Sequence, residues 1–134
     1  MLPRHARMRR SEDFRRTVRH GVRAGRRTVV VHAWRRGRVV DQHGQRVESD
    51  SAAPVVGFVV ARAVGPAVLR NRVRRRLRHL SAGHVSELDP GTTVVVRALP
   101  PAARAGSELS DDLGAAWTAA LVKLQAATGR AAQR

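Results

Sequence analysis

The sequence predicts an α+β fold, with helices packed against one small mixed sheet in the order helix, strand, strand, helix, strand, helix. Three observations carry that prediction. The runs 28–34, 55–60 and 92–98 are short, apolar and rich in β-branched residues, which favours strands. Leu69, Val73, Leu77 and Leu80, and later Leu113, Trp117, Leu121 and Leu124, recur at the spacing of helices docked on a sheet. The chain has 134 residues and is 43% hydrophobic, which suits one domain with a modest core.

Residues 1–10 carry four arginines and little to bury, so they read as a basic arm, extended or mobile, suited to lying along phosphates. Ser11 then serves as an N-cap, Glu12 and Asp13 occupy the first turn where the helix dipole favours carboxylates, and Gly21 stops a helix over 12–20. Its apolar positions are Phe14 and Val18, one turn apart, with Arg15, Arg16 and Arg19 around them. After the first strand, the polar segment 35–53 reads as a long connection with hairpin arms around a tip near 41–45. The second strand, 55–60, is continuously hydrophobic, as a strand covered on both sides would be, and Gly57 marks a bulge or a close approach. Gly65 and Pro66 open a helix over 66–82, which Gly83 ends. Asp89-Pro90-Gly91 turns the chain into the third strand, and Pro100 and Pro101 stop that strand. Ser107 or Ser110 caps the last helix, with Asp111 and Asp112 in its first turn. The small and polar residues 126–134 read as a flexible tail, leaving 11–125 as the folded domain.

Charge narrows the function. Lys+Arg number 26 against 10 Asp+Glu, a formal net charge of +16, and a surplus of that size predicts a polyanionic partner. Lys123 is the one lysine; the other basic residues are arginines, whose guanidinium groups grip phosphates bidentately and stack on bases. Cysteine is absent, which excludes disulfides, thiolate metal sites and cysteine nucleophiles and suits a reducing compartment. No apolar run approaches the ~18 residues of a membrane span, and the N-terminus lacks the apolar core of a secretory signal. The acids are scattered without a Ser/His/Asp or paired-carboxylate spacing, and the histidines share no ligand spacing with nearby acids. Neither a protein-borne catalytic centre nor a metal cage is expected.

Arg70, Arg72, Arg74, Arg75, Arg76 and Arg78 crowd the second predicted helix with no acid among them. A charge run is ordinarily a solvated helix face. Here, however, Arg70/Arg74/Arg78 and Arg72/Arg76 stack one turn apart and repel by roughly 0.2–0.5 kcal/mol per pair, a penalty that an anionic ligand removes. Nucleic acid is the expected ligand. The missing cysteines exclude a zinc finger and the missing heptads a zipper arm, which disfavours duplex-DNA readers. The aromatics are only Phe14, Trp34, Phe58 and Trp117, too few for aromatic RNA-recognition strands. Trp117 and Phe58 are assigned to the core; Phe14, on a basic helix, is either core or an exposed platform for a base.

Residues 56–78, VGFVVARAVGPAVLRNRVRRRLR, resemble the signature of the bacterial ribonuclease P protein subunit family, centred on Arg70-Asn71-Arg72 and extended by Arg74, Arg75 and Arg78. The stretch from Arg9-Arg10-Ser11-Glu12-Asp13-Phe14 to His20-Gly21 is similar to that family's first helix, and Arg27 precedes the first strand as in the family. The resemblance runs over residues 7–124 and implies a small α/β sandwich of the ribosomal protein S5 domain 2-like type. Its βαβ crossover through the basic helix would be left-handed, against the general rule. The resemblance also implies an activity: endonucleolytic removal of the 5′ leader from precursor tRNA, by a cytoplasmic ribonucleoprotein whose RNA subunit performs the hydrolysis with Mg2+. The protein would bind that RNA one to one and contribute no catalytic residue. On this resemblance Arg70, Asn71, Arg72, Arg74, Arg75 and Arg78 contact the catalytic RNA. Phe14, Arg9, Arg10, Arg15 and Arg27 border the cleft for the leader. Val18 and His32 stand where the family often presents aromatics, Ala61 and Ala63 replace polar and basic residues, and Pro66 replaces a frequent asparagine. A ribosomal or ribosome-assembly protein without processing activity explains charge and fold equally well, and a basic nucleoid protein is a third class.

Overall fold

Strand alternation decides the architecture, because each strand sends successive side chains to opposite faces. In the computed structural model, which describes residues 2–8, 11–35, 39–40, 46–47 and 53–132, four strands form one sheet. They are β1 (Val22–Gly25), β2 (Val29–Arg35), β5 (Val55–Val60) and β6 (Thr92–Ala98), in the spatial order β1-β2-β6-β5. Two further short strands, β3 (Val39–Val40) and β4 (Arg46–Val47), pair antiparallel with each other, so the 35–53 connection does hold hairpin arms; its tip, 41–45, lies outside the described residues. β2 runs antiparallel to both β1 and β6, whereas β5 and β6 are parallel. Parallel neighbours require a crossover, and α2 (Ala67–Ala82) lies between them in the chain.

The register aligns two sets of side chains. Val31 stands opposite Ala24 and Val96, and Val96 opposite Phe58; Ala33 stands opposite Val22 and Val94, and Val94 opposite Val56. This set, with Val29, Ala98 and Val60, forms the core together with Val73 and Leu77 of α2 and Leu109, Leu113, Ala116, Trp117 and Ala120 of α3 (Glu108–Ala132). The α3 positions recur at helical spacing, so α3 lays one stripe on β1 and β2 while α2 covers β5. Each fully buried Val or Leu contributes about 1.5–3 kcal/mol of transfer free energy, which makes this face the main source of stability. The opposite set, Val30, His32, Trp34, Thr93, Val95, Arg97, Gly57 and Val59, faces α1 (Ser11–His20).

Four parts of the chain depart from expectation, each for a local reason. β1 was not expected, since Val-Arg-Ala-Gly has little strand propensity; pairing with β2 supplies what propensity lacks. In α1 the buried residue is Thr17, while Val18 is 43% exposed. Thr17 can be buried because its hydroxyl donates to the Asp13 carbonyl and shares a 2.7 Å hydrogen bond with Thr93. The stretch 2–8, expected to be arm, packs down. Leu2, Ala6 and Met8 are buried, and the Met8 N–H donates to the Val56 carbonyl at 2.8 Å, which covers the open edge of β5. At the other end α3 continues to Ala132, through residues expected to fray, because alanines at 126, 127, 131 and 132 favour helix. Among the described residues no helix is long and apolar enough to cross a membrane.

Candidate nucleic-acid interface

The stripe that docks α2 also decides which of its arginines are free. With Val73, Leu77 and Ser81 buried, Asn71, Arg72 and Arg75 point to solvent. Arg70, Arg74 and Arg76 are engaged. Arg70 donates from Nε to the Gly65 carbonyl, Arg74 donates to Asn71 Oδ1, and Arg76 donates to the carbonyls of Ala105 (2.6 Å) and Gly106 (2.8 Å). Arg72, Arg75 and Arg78 make no hydrogen bond or ion pair with the described residues. Arg76 therefore ties α2 to the chain just before α3, whereas Arg72 and Arg75 stay exposed. Arg76→Ala is expected to cost about 1–2 kcal/mol of stability in urea denaturation, as hydrogen bonds from a charged donor do, while leaving RNA affinity within about twofold.

At the β5 edge a pocket gathers Arg4, Arg7, Phe14, Phe58, Arg74 and Arg78, with Met8, Val56 and Gly57 as its wall. It brings together residues from both predicted sets, Phe14 from the leader set and Arg74 and Arg78 from the RNA-subunit set. Partial burial, and then the charges of Arg7 and Arg74, push the Arg78 guanidinium below its usual range. No acid lines this pocket to balance the three guanidinium groups around Arg78. Gly57 makes the pocket possible: a Cβ there would sit 2.4 Å from Phe14 Cζ, so only glycine lets the half-buried ring rest on β5. The close approach that the sequence suggested at Gly57 is this contact.

Next to the pocket lies the face of the sheet that α1 crosses. α1 crosses the sheet with Phe14 over Gly57, Thr17 on Thr93 and His20 against Trp34, ring centroids 6.0 Å apart. Beside it on the same face stand Val30, Val59 and the buried His32 and Val95, flanked by exposed Arg23 and Arg97. Helical spacing puts Arg15 and Val18 on the flank of α1 away from His20 and Trp34. The described acids are elsewhere: Glu12 and Asp13 in the first turn of α1, Glu87 and Asp89 before β6, and Glu108, Asp111 and Asp112 at the start of α3. Asp112 accepts from both the N–H and the hydroxyl of Thr28, and Glu12 pairs with Arg16. Among the described residues, an acid-poor surface thus runs from α2 through the pocket to the face under α1. Among the described residues no three His, Cys, Asp or Glu side chains gather as a metal site would need.

Comparison with known proteins agrees with this geometry. The profile of the family described as Ribonuclease P matches residues 2–121. The chain belongs to the ribonuclease P protein family. It is 52% identical over 118 residues to the ribonuclease P protein component of Streptomyces avermitilis, covering 87% of this chain and 92% of that one. It is 48% identical over 124 residues to the ribonuclease P protein component of Rhodococcus opacus, covering 92% of each. The fold matches that of the Staphylococcus aureus RNase P protein, with a TM-score of 0.68 at 22% identity over 89% of this chain and 96% of that one. The RNase P protein of Thermotoga maritima gives a TM-score of 0.61 at 20% identity, over 80% of this chain and 90% of that one.

Not all residues expected to act together in this family member are neighbours. Arg27 sits in the β1–β2 turn, 3.4 Å from Glu108 at the start of α3, and not beside Phe14. Arg9 and Arg10 lie outside the described residues. Arg4 and Arg7 at the pocket, and Arg23 and Arg97 on the face under α1, were not among the expected residues. For Arg97 a signal existed: it is the one charge in a strand otherwise apolar or threonine, so it must occupy the face turned from the core. Arg23 had none, because its strand was not recognised.

Proposed function

We propose that this chain, as the protein component of ribonuclease P, holds two RNAs at once. In this reading α2 grips the catalytic RNA through Arg72 and Arg75, supported by Arg70, Asn71, Arg74 and Arg78. The cleft holds the single-stranded 5′ leader of precursor tRNA, with Phe14 as a stacking platform and Arg15 on its rim. Arg9, Arg10 and Arg27 are assigned to the leader's approaches. The observation that carries this reading is the pocket in which Phe14 meets Arg74 and Arg78, since one continuous cationic surface then serves both RNAs.

The chemistry left to the protein is binding and screening. Hydrolysis at the mature 5′ end, with its magnesium, belongs to the RNA subunit in this reading. What the chain does is neutralise phosphates that would repel substrate from ribozyme, and fix the leader by stacking and charge. One protein per catalytic RNA in the cytoplasm completes the proposal.

The test is precursor-tRNA cleavage at low magnesium by a cognate ribonuclease P RNA, with and without the protein. Protein-dependent cleavage at the mature 5′ end is expected. Phe14→Ala should weaken binding of leader-bearing substrate about fivefold, the lower end of the ~1–3 kcal/mol of base stacking, because one side of the ring is already committed to β5. Its affinity for tRNA lacking a leader should not change. Tight RNA binding without stimulated cleavage would overturn the processing role and favour a ribosome-associated one.

A further inference from the structure

The outward ridge of α2 begins with an apolar residue. Helical spacing sets Val68, Asn71, Arg72, Arg75 and His79 on one face, and all five are exposed. Val68 is 74% exposed and lies well around the helix from the buried Val73 and Leu77, so it completes no core. A single exposed valine is ordinary on a protein surface; its company sets this one apart. The groove that it lines beside α2 is otherwise made of Asn71 and arginines, and no Asp or Glu occurs from residue 53 to residue 86. Asn71 is also oriented: Arg74 donates to its Oδ1 at 3.2 Å, which leaves the two Nδ2 hydrogens without an acceptor among the described residues. Val68 is therefore an apolar platform bordered by the donors of Asn71, Arg72 and Arg75, and the side-chain acceptor beside it is already engaged.

With only cations around it, whatever covers Val68 is anionic and yet apolar-faced, and an RNA strand is both. A phosphate satisfies guanidinium groups but gains nothing from a valine, whose cover must itself be apolar. In a nucleotide that cover is the face of the base. Paired bases hide their faces in the stack, so the base that reaches Val68 is unpaired. Its edge must accept rather than donate: guanine and uracil present a carbonyl oxygen, O6 or O4, where adenine and cytosine present an amino group. We propose that α2 reads one unpaired guanine or uracil of the catalytic RNA, the base lying on Val68 and accepting from the Asn71 amide while Arg72 and Arg75 hold flanking phosphates. The proposal rests on the reading that α2 meets that RNA, and adds to it a contact that is not electrostatic.

The experiment measures binding of the full chain to its cognate ribonuclease P RNA across a salt series. Val68→Ala is expected to weaken binding about fourfold, the effect of about one methylene group left uncovered. The slope of log affinity against log salt should not change, because an apolar contact releases no counterion. Val68→Ile should bind at least as tightly as wild type, and both variants should unfold in urea as wild type does, since the side chain is exposed. To find the base, catalytic RNA carrying a small fraction of phosphorothioate-tagged 6-thioguanosine or 4-thiouridine, whose sulfur accepts hydrogen bonds poorly, is selected for binding. One position is expected at which the thio base weakens binding to the wild-type chain but not to the Asn71→Ala variant, and the arm in which it appears tells guanine from uracil. Wild-type affinity in Val68→Ala, a loss that changes the salt slope, or no thio-base effect that Asn71→Ala removes would each overturn the base contact while leaving α2 as the surface for the catalytic RNA. Wild-type affinity and salt slope in the Arg72→Ala and Arg75→Ala double variant as well would overturn that reading itself.

Discussion

Gly21→Ala is expected to be the most damaging single-methyl change in this protein, lowering Tm by about 10 °C or more. Gly21 joins α1 to β1, with its N–H donating to the Thr17 carbonyl at 3.0 Å. A Cβ at this position would lie 2.4 Å from the Thr17 carbonyl oxygen and 2.5 Å from that of Ala33. Both obstacles are backbone, one held in α1 and one in the β1–β2 ladder, so neither can swing aside as a side chain would. The methyl group fits only if α1 lifts from the sheet, which breaks the Thr17–Thr93 hydrogen bond and unseats Phe14. Overpacking of this kind costs about 3 kcal/mol, and for a domain of this size that moves Tm by about 10 °C. Gly25→Ala is the control: its Cβ would meet only Val30 Cγ2, at an ordinary 3.7 Å. Thermal unfolding followed by circular dichroism checks both; a Gly21→Ala transition within about 2 °C of wild type would contradict the steric argument.

The same region shows where a sequence is readable and where it is not. Val55–Val60, Thr92–Ala98 and the α2 stripe were legible because their burial is repetitive, so each residue restates what its neighbours say. The arginine run on α2 was legible for the same reason. What escaped depends on one partner far along the chain. Thr17 reads as a surface residue until Thr93 is brought beneath it. The N-terminal segment reads as an arm until the edge of β5 accepts the Met8 N–H and the core takes Leu2. Arg76 was indistinguishable from Arg72 by type or spacing, and only the carbonyls of Ala105 and Gly106 separate a structural arginine from one that faces outward. Local pattern identifies faces; it does not say which distant group will meet them.

That distinction among arginines leads to the second large effect. Arg72→Ala combined with Arg75→Ala is expected to weaken binding to the ribonuclease P RNA about 15- to 30-fold at about 0.15 M salt, because each arginine–phosphate pair releases about 0.7–0.9 of a counterion when it forms. The slope of log affinity against log salt should fall by about 1.4–1.8 in the double variant, from the same counting. Folding stability should not suffer, since both side chains are exposed and make no hydrogen bond to the described residues; relief of like-charge repulsion along α2 raises it slightly if anything. Replacing both by lysine discriminates between charge and geometry. Lysine keeps the counterion release but presents no planar fork, so the salt slope should return while affinity recovers only in part. Filter binding across a salt series checks all three proteins, with Arg76→Ala as the reference for an arginine whose donors are already spent. Were the double alanine variant to bind with an unchanged salt slope, α2 would not be the surface that meets the catalytic RNA, and the pocket of Arg4, Arg7, Arg74 and Arg78 would have to carry that role alone.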